Sequence, residues 1–408
     1  MSLAETENVD YRLDSERVWS LGMKLLAATV ALLGFSAIGL FTSDEAALHF
    51  KYSYLTCYTF YVSVSLGAMF FVLTAHVTHA RWSVVVRRLG EAIMMNFWLM
   101  LLLVVPILFW MDDLYIWADP QKVAGDTLLE QKRPFLNLKF FMLRIVIYFA
   151  IWIGMGGFLY RRSLRQDETG DWKLVEAMRR MSAPGLILFA FTTTFFAFDL
   201  LMSLDAHWYS TIFGVYYFAG SFIAGLAVLI LVCVAVMSTG VVGKAITAEH
   251  LHDLGKLLFA FVVFWAYISI SQLLLIWMAN IPEETIWYIH RWEGGWKTYS
   301  WFLVYGHFVF PFFFLLSYHA KRNRLMISLG AIWMLIVHFL DLYWVVMPTL
   351  GLQGEHGGHG VPFSWVDPCL FLGMGCFFGL VLLWRLSKCP LVPVRDPYLA
   401  DSIAFENQ

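Results

Sequence analysis

Ten stretches of the chain are continuously apolar for about 20 residues or more: roughly 20–41, 54–76, 91–111, 139–160, 185–204, 211–238, 256–279, 300–319, 325–347 and 366–386. That length lets a helix cross the hydrocarbon core of a bilayer. The runs are unbroken rather than alternating, which favours helices over the strands of a barrel. The pattern predicts an all-α integral membrane protein of about ten transmembrane helices. Residues 1–19 precede the membrane domain, 20–386 form it, and 387–408 follow as a tail.

The charges between the runs set an orientation. Connections on the N-terminal side hold 20 Lys and Arg, among them Arg81, Arg87, Arg88 and the cluster from Arg161 to Arg180, whereas the opposite side holds 7. Positive residues favour the cytoplasmic side, so both termini are expected there. Ahead of the first run stand Glu5, Glu7, Asp10, Asp14 and Glu16 against Arg12 and Arg17. This is the wrong balance for a secretory leader, and the first run reads as a retained span.

Composition agrees. Charged residues make up 14% of the 408 residues, against about 25% for a soluble domain, and mean hydropathy is +0.67. The solvent around most of this chain must be lipid. A net charge of −2 argues against a nucleic-acid partner, and 36 Phe, 18 Trp and 18 Tyr suit interfacial aromatic belts. The five cysteines form no CxxC or CxxCH pattern, and Cys369 and Cys376, seven apart, stack on one helix face. They read as packing residues, with no iron–sulfur cluster or covalent haem in this chain.

The two halves echo one another. The fifth run ends FAFDLLMSLD and the ninth contains HFLDLYWVVMP; the third ends LFWMDDLYIW and the seventh IWMANIPEETIWY. Helices 2–5 (about 54–204) and 6–9 (about 211–347) are expected to form two four-helix bundles flanked by helices 1 and 10. Small residues such as Gly220/Ala224 and Ser221/Gly225 offer close helix contacts.

An acid at mid-bilayer costs about 2.5–3.5 kcal/mol on insertion scales, so polar groups inside the runs are the functional candidates. His338 and Asp341 lie three apart on one helix face, and a His–carboxylate pair is a natural proton-relay element. Asp199 lies inside the fifth run and Asp205 at its edge; on a continuous helix they would stand about 240° apart and His207 about 80° from Asp199. Tyr267, Ser269, Ser271 and Gln272 give the seventh run four polar side chains at mid-depth, suited to a water file or to bonding a quinone carbonyl. His76, His79, Tyr305 and His307 are weaker candidates. Glu355, His356 and His359 read as a flexible loop rather than a metal site. Paired haem-ligating histidines, a nucleophile elbow, a P-loop and a dinucleotide-binding glycine motif are all missing. No catalytic residue and no resident metal are expected.

The ten-run plan, together with FDLLMSLDAHWYSTIFGVYYFAGSF (198–222), ANIPEETIWY (279–288) and HFLDLYWVVMP (338–348), resembles the polysulfide-reductase (NrfD-type) membrane-subunit family. The resemblance covers residues 20–386. It is nearest to the large membrane subunits of bacterial alternative complex III, a quinol:cytochrome c oxidoreductase, and among them to the shorter, F-type subunit. It implies a multi-pass place in the bacterial inner membrane and a homologous membrane subunit, an iron–sulfur subunit and c-type cytochrome subunits as partners, with a terminal oxidase a further candidate. The haem c and clusters would belong to those partners, and the quinol, menaquinol, would meet the complex in the membrane.

By the resemblance, the embedded residues Asp199, His338 and Asp341 match the family's acids and histidines. The expected role is a non-catalytic subunit contributing to proton translocation, with protons fed through Tyr267, Ser271 and Gln272. Two alternatives stand beside it: a subunit that itself binds and oxidises quinol, and a purely structural scaffold.

Overall fold

The computed structural model describes residues 11–243, 245–353 and 360–407; residues 1–10 and the loop carrying Glu355, His356 and His359 lie outside the described residues. Ten helices are long and apolar enough to cross a membrane: α1 Ser15–Phe41, α2 Asp44–Val77, α3 Arg81–Phe109, α4 Leu138–Thr169, α5 Trp172–Leu204, α6 Phe213–Ser238, α7 Ala248–Ala279, α8 Gly294–Leu316, α9 Arg324–Gly351 and α10 Val366–Leu386. No strand occurs among the described residues. Every predicted span is present. Several helices extend further than their apolar runs, because polar caps rather than hydropathy set their ends: Ser43 Oγ accepts from Ala46 N–H, and Asn137 Oδ1 from Phe140 N–H. At the other end, Gly170 stops α4 in the left-handed conformation at φ 66°.

Helix α2 is the centre of the molecule. Its most apolar window is 83% buried, against 17% for α1, which lies along α10 at the periphery. The α2–α6 crossing is built from the small residues noted in the sequence. A Cβ on Gly67 would come within 2.0 Å of Ser221 O, and one on Gly225 within 2.5 Å of Gly67 C. Only glycine permits this approach. Helix α6 also packs on α7 and α9, and α4 on α5, which returns to α2.

The first described residues and the segment after α10 meet on one face of the bundle, hereafter the terminal face. Leu391 N–H donates to Tyr11 O at 2.9 Å, and Ser402 Oγ to Trp82 O at 2.7 Å. Beneath them lies a charge network that the sequence does not reveal. The third apolar run starts at residue 91, yet α3 begins at Arg81 and buries Arg88 and Glu91 completely. Compensation makes this tolerable: Arg88 meets Glu91 (3.2 Å), Asp167 of α4 (2.8 Å) and Ser163, while Arg87 meets Asp396 of the tail (2.5 Å).

Candidate functional site in the α6–α9 half

Helix α9 carries His338 and Asp341 inward, each 1% exposed. Their facing atoms, Nδ1 and Oδ2, stand 4.0 Å apart. That is beyond a direct hydrogen bond. Two neighbouring helices satisfy the carboxylate. Tyr216 of α6 donates its hydroxyl to Oδ1, and Trp265 of α7 donates Nε1–H to Oδ2 at 3.2 Å. Among the described residues no lysine or arginine pairs with Asp341.

Helix α2 fixes the imidazole. Ser63 Oγ lies 2.6 Å from Phe60 O and 3.0 Å from His338 Nε2. The hydroxyl's one proton goes to the carbonyl, so the network assigns the His338 proton to Nε2, which donates to Ser63. Nδ1 is then a bare acceptor aimed toward Asp341, and it has no partner. Gly220 closes the other side: a Cβ there would lie 2.4 Å from His338 Cε1.

His307 of α8 completes the group. It is fully buried, neither ring nitrogen has a partner, and its ring stacks on Trp265 with centroids 3.7 Å apart. It sits in a π-helical turn, Val304–Val309. The cause is local: Pro311 has no N–H to give back to the preceding turn, so the helix widens ahead of it. The carbonyl of Gly306, released by the wide turn, accepts from Trp333 Nε1–H at 2.8 Å. Donor atoms of His307, His338 and Asp341 lie within 4.8 Å of one another, the one place among the described residues where a small metal ion would find three ligands.

A cavity of about 120 Å³ leads to Asp341. Its wall is almost wholly apolar, with Trp265, Trp287, Trp292, Trp344, Tyr216 and Tyr288 prominent and Ser269 and Gln272 among its few polar groups. It opens sideways between α7 and α8, where Ile270 and Val304 are exposed. Arg291 flanks it, its guanidinium 3.5 Å from the Trp287 ring and donating to the carbonyls of Trp287, Trp344 and Val345. Burial pushes this arginine down to about 9.

The remaining candidates divide. Gln272 faces the cavity, but Ser271 does not line it, and Tyr267 is 65% exposed on the outer surface of α7. The expected feed through Tyr267, Ser271 and Gln272 is therefore divided: Tyr267 and Ser271, four apart, share the face away from the cavity, whereas Ser269 and Gln272 line it. Asp199 does not stand free. Arg144 of α4 grips it with Nε (2.8 Å) and Nη2 (2.7 Å), and Tyr148 OH adds 2.7 Å. The signal for this partnership was Arg144 itself, a cation one turn inside an apolar run. The angular comparison of Asp199 with Asp205 and His207 also fails, because the α-helix ends at Leu200 and a 3₁₀ turn follows. Asp205 lies half-buried beyond that turn, and His207 reaches back to Asp126 at 2.6 Å.

His76 is buried rather than interfacial, with Nε2 unpartnered beneath the terminal face, and His79 turns with φ 51° to meet Arg179. Tyr305 is exposed. Cys57, Cys233 and Cys389 are buried as packing residues, while Cys369 and Cys376 are half-buried. Sequence reasoning missed Ser63, Tyr216 and Trp265; nothing local marks an aromatic or serine as the partner of a distant carboxylate. No family model matches the chain, and no curated protein matches it as a relative.

Proposed function

We propose that this chain is a membrane subunit of a respiratory quinol:electron-acceptor oxidoreductase of the alternative complex III kind, contributing to proton translocation. In this reading the terminal face is cytoplasmic, and α2–α5 and α6–α9 are its two bundles, with α1 and α10 at the flank. The observation that carries it is Asp341: a fully buried carboxyl with two neutral donors, no cation among the described residues, and a bare imidazole nitrogen 4.0 Å away. A carboxylate in that setting gains from taking up a proton, and an adjacent acceptor gives the proton a second place to rest. His307, unpartnered across the same space, is the third station. Asp199, neutralised by Arg144, is better suited to holding α4 and α5 together.

The test replaces Asp341 by Asn in the assembled complex and measures protons released per electron. The reading expects a lower ratio with electron transfer retained; an unchanged ratio rules it out.

A second reading, quinol binding by this chain, draws on the aromatic cavity that opens sideways and ends at Asp341. A photoreactive quinone should then label the walls of that cavity, such as Trp287 or Trp292. Labelling confined to another subunit sinks this reading and leaves the first untouched.

A further inference from the structure

Two imidazoles and a carboxylate can do more than pass a proton. His307 of α8 and His338 and Asp341 of α9 supply three donor atoms within 4.8 Å of one another, and all three residues are buried. Two observations point to a ligand between them. Among the described residues, both ring nitrogens of His307 and Nδ1 of His338 have no hydrogen-bond partner, and a buried polar atom left so is costly. His338 is also arranged as a metal ligand before any ion arrives. Its Nε2–H donates to Ser63 Oγ, which fixes the tautomer and leaves the Nδ1 lone pair toward Asp341. Ligating histidines are held in this way through the N–H they keep.

The donor set narrows the class of ion. Calcium and magnesium call for shells of oxygen ligands, which two imidazoles beside an apolar wall do not offer. Zinc takes three protein ligands of the histidine and carboxylate kind and keeps a fourth position open. Its bonds of about 2.0–2.2 Å put tetrahedral neighbours about 3.4 Å apart. The 4.0 Å between His338 Nδ1 and Asp341 Oδ2 then has to close by about half an ångström, which a turn of the carboxyl about its broad terminal torsion supplies. His307 has further to come, but its ring shifts without breaking a hydrogen bond. It sits on the π-helical turn Val304–Val309, a feature concentrated at functional sites. The cavity that leads to Asp341 offers the oxygens of Ser269 and Gln272 along its wall, and the Ser269 hydroxyl has no partner among the described residues.

We infer that His307, His338 and Asp341 form a zinc-binding site. Nδ1 of His338, one nitrogen of His307 and Oδ2 of Asp341 hold the ion, while Tyr216 continues to donate to Oδ1. The site stands on donor geometry and does not depend on the relay reading. Zinc and a mobile proton compete for the same lone pairs, so the ion blocks any proton movement through this group.

The full chain in detergent, first stripped with a chelator, tests this with zinc chloride as the probe and a chromophoric chelator as competitor. The parent should take up one equivalent that Asp341→Asn loses, a difference that cancels binding by exposed histidines such as His207 and His319. Ser63→Ala removes no ligand but releases the His338 tautomer, and should weaken zinc binding by about 10–100-fold. In ¹⁵N-histidine-labelled parent, zinc should shift His338 Nδ1 and one His307 nitrogen while His338 Nε2 keeps its proton. Equal uptake by the parent and Asp341→Asn overturns the site. Unshifted His307 and His338 signals in the zinc-loaded parent also overturn it, and this measurement needs no variant to fold. Neither failure touches the proton ratio that tests the relay.

Discussion

His338 Nδ1 stands 4.0 Å from Asp341 Oδ2, with no lysine or arginine beside either among the described residues. Neither group can change charge there without altering the energy of the other, because the surrounding side chains screen weakly. Ser63 makes the relationship directional by holding the His338 proton on Nε2. Ser63→Ala is expected to release that choice. In protein labelled with ¹⁵N-histidine, the His338 ring should show a single Nε2–H tautomer in the parent and a mixture in the variant; identical spectra would refute the assignment.

Asp199 and Asp341, both buried, should respond unequally to neutralisation. Asp199→Asn leaves the Arg144 guanidinium buried without its partner, a change that costs about 3–5 kcal/mol. Asp341→Asn orphans no cation and should cost much less. Thermal unfolding in detergent compares them directly, and equal losses would contradict the difference in pairing.

Gly220 is a steric gate for the imidazole. Alanine there would place a methyl group 2.4 Å from His338 Cε1, and overpacking of this kind costs about 1–3 kcal/mol. The loss should be recovered when His338→Ala is added, since the clash then has no partner. A double-mutant cycle showing simple additivity would remove the contact from consideration.

At the face opposite the termini, His207 ties the turn after α5 to the segment between α3 and α4. The Asp126 carboxyl is held below the ordinary range, first by the hydrogen bond from His207 and next by that from Leu129 N–H. A carboxyl depressed on folding adds stability above its unfolded value of about 4 and loses it as pH falls through the folded value. The 119–137 segment should thus become more protease-sensitive on acidification below about pH 4. His207→Ala should show that sensitivity already at neutral pH, with less further change on acidification.

The legible part of the site was the part written on one helix. His338 and Asp341 share a face because they are three apart, and period alone says so. Their partners come from α2, α6, α7 and α8, separated from them by as many as 275 positions in the chain. No local pattern distinguishes Trp265 from the other 17 tryptophans. Tyr267 and Ser271 failed for the complementary reason: polarity at mid-depth does not say which side of a helix meets lipid. Arg87 and Arg88 look like loop charges until Asp396 meets the first, and Glu91 and Asp167 the second.

The sequence by itself determined the ten helices and where the polar residues sit along them. Hydropathy over about 20 residues is a one-dimensional requirement of the bilayer, and each helix meets it alone. Tertiary structure decided which buried acid is neutralised and which is left without a cation. Asp199 and Asp341 stand in similar sequence settings, FAFDLLMSLD and HFLDLYWVVMP. Only packing sets Arg144 against the first and Tyr216, Trp265, the bare Nδ1 of His338 and the unpartnered ring of His307 around the second among the described residues, because electrostatic character in a low-dielectric interior depends on neighbours within a few ångströms rather than on position in the chain.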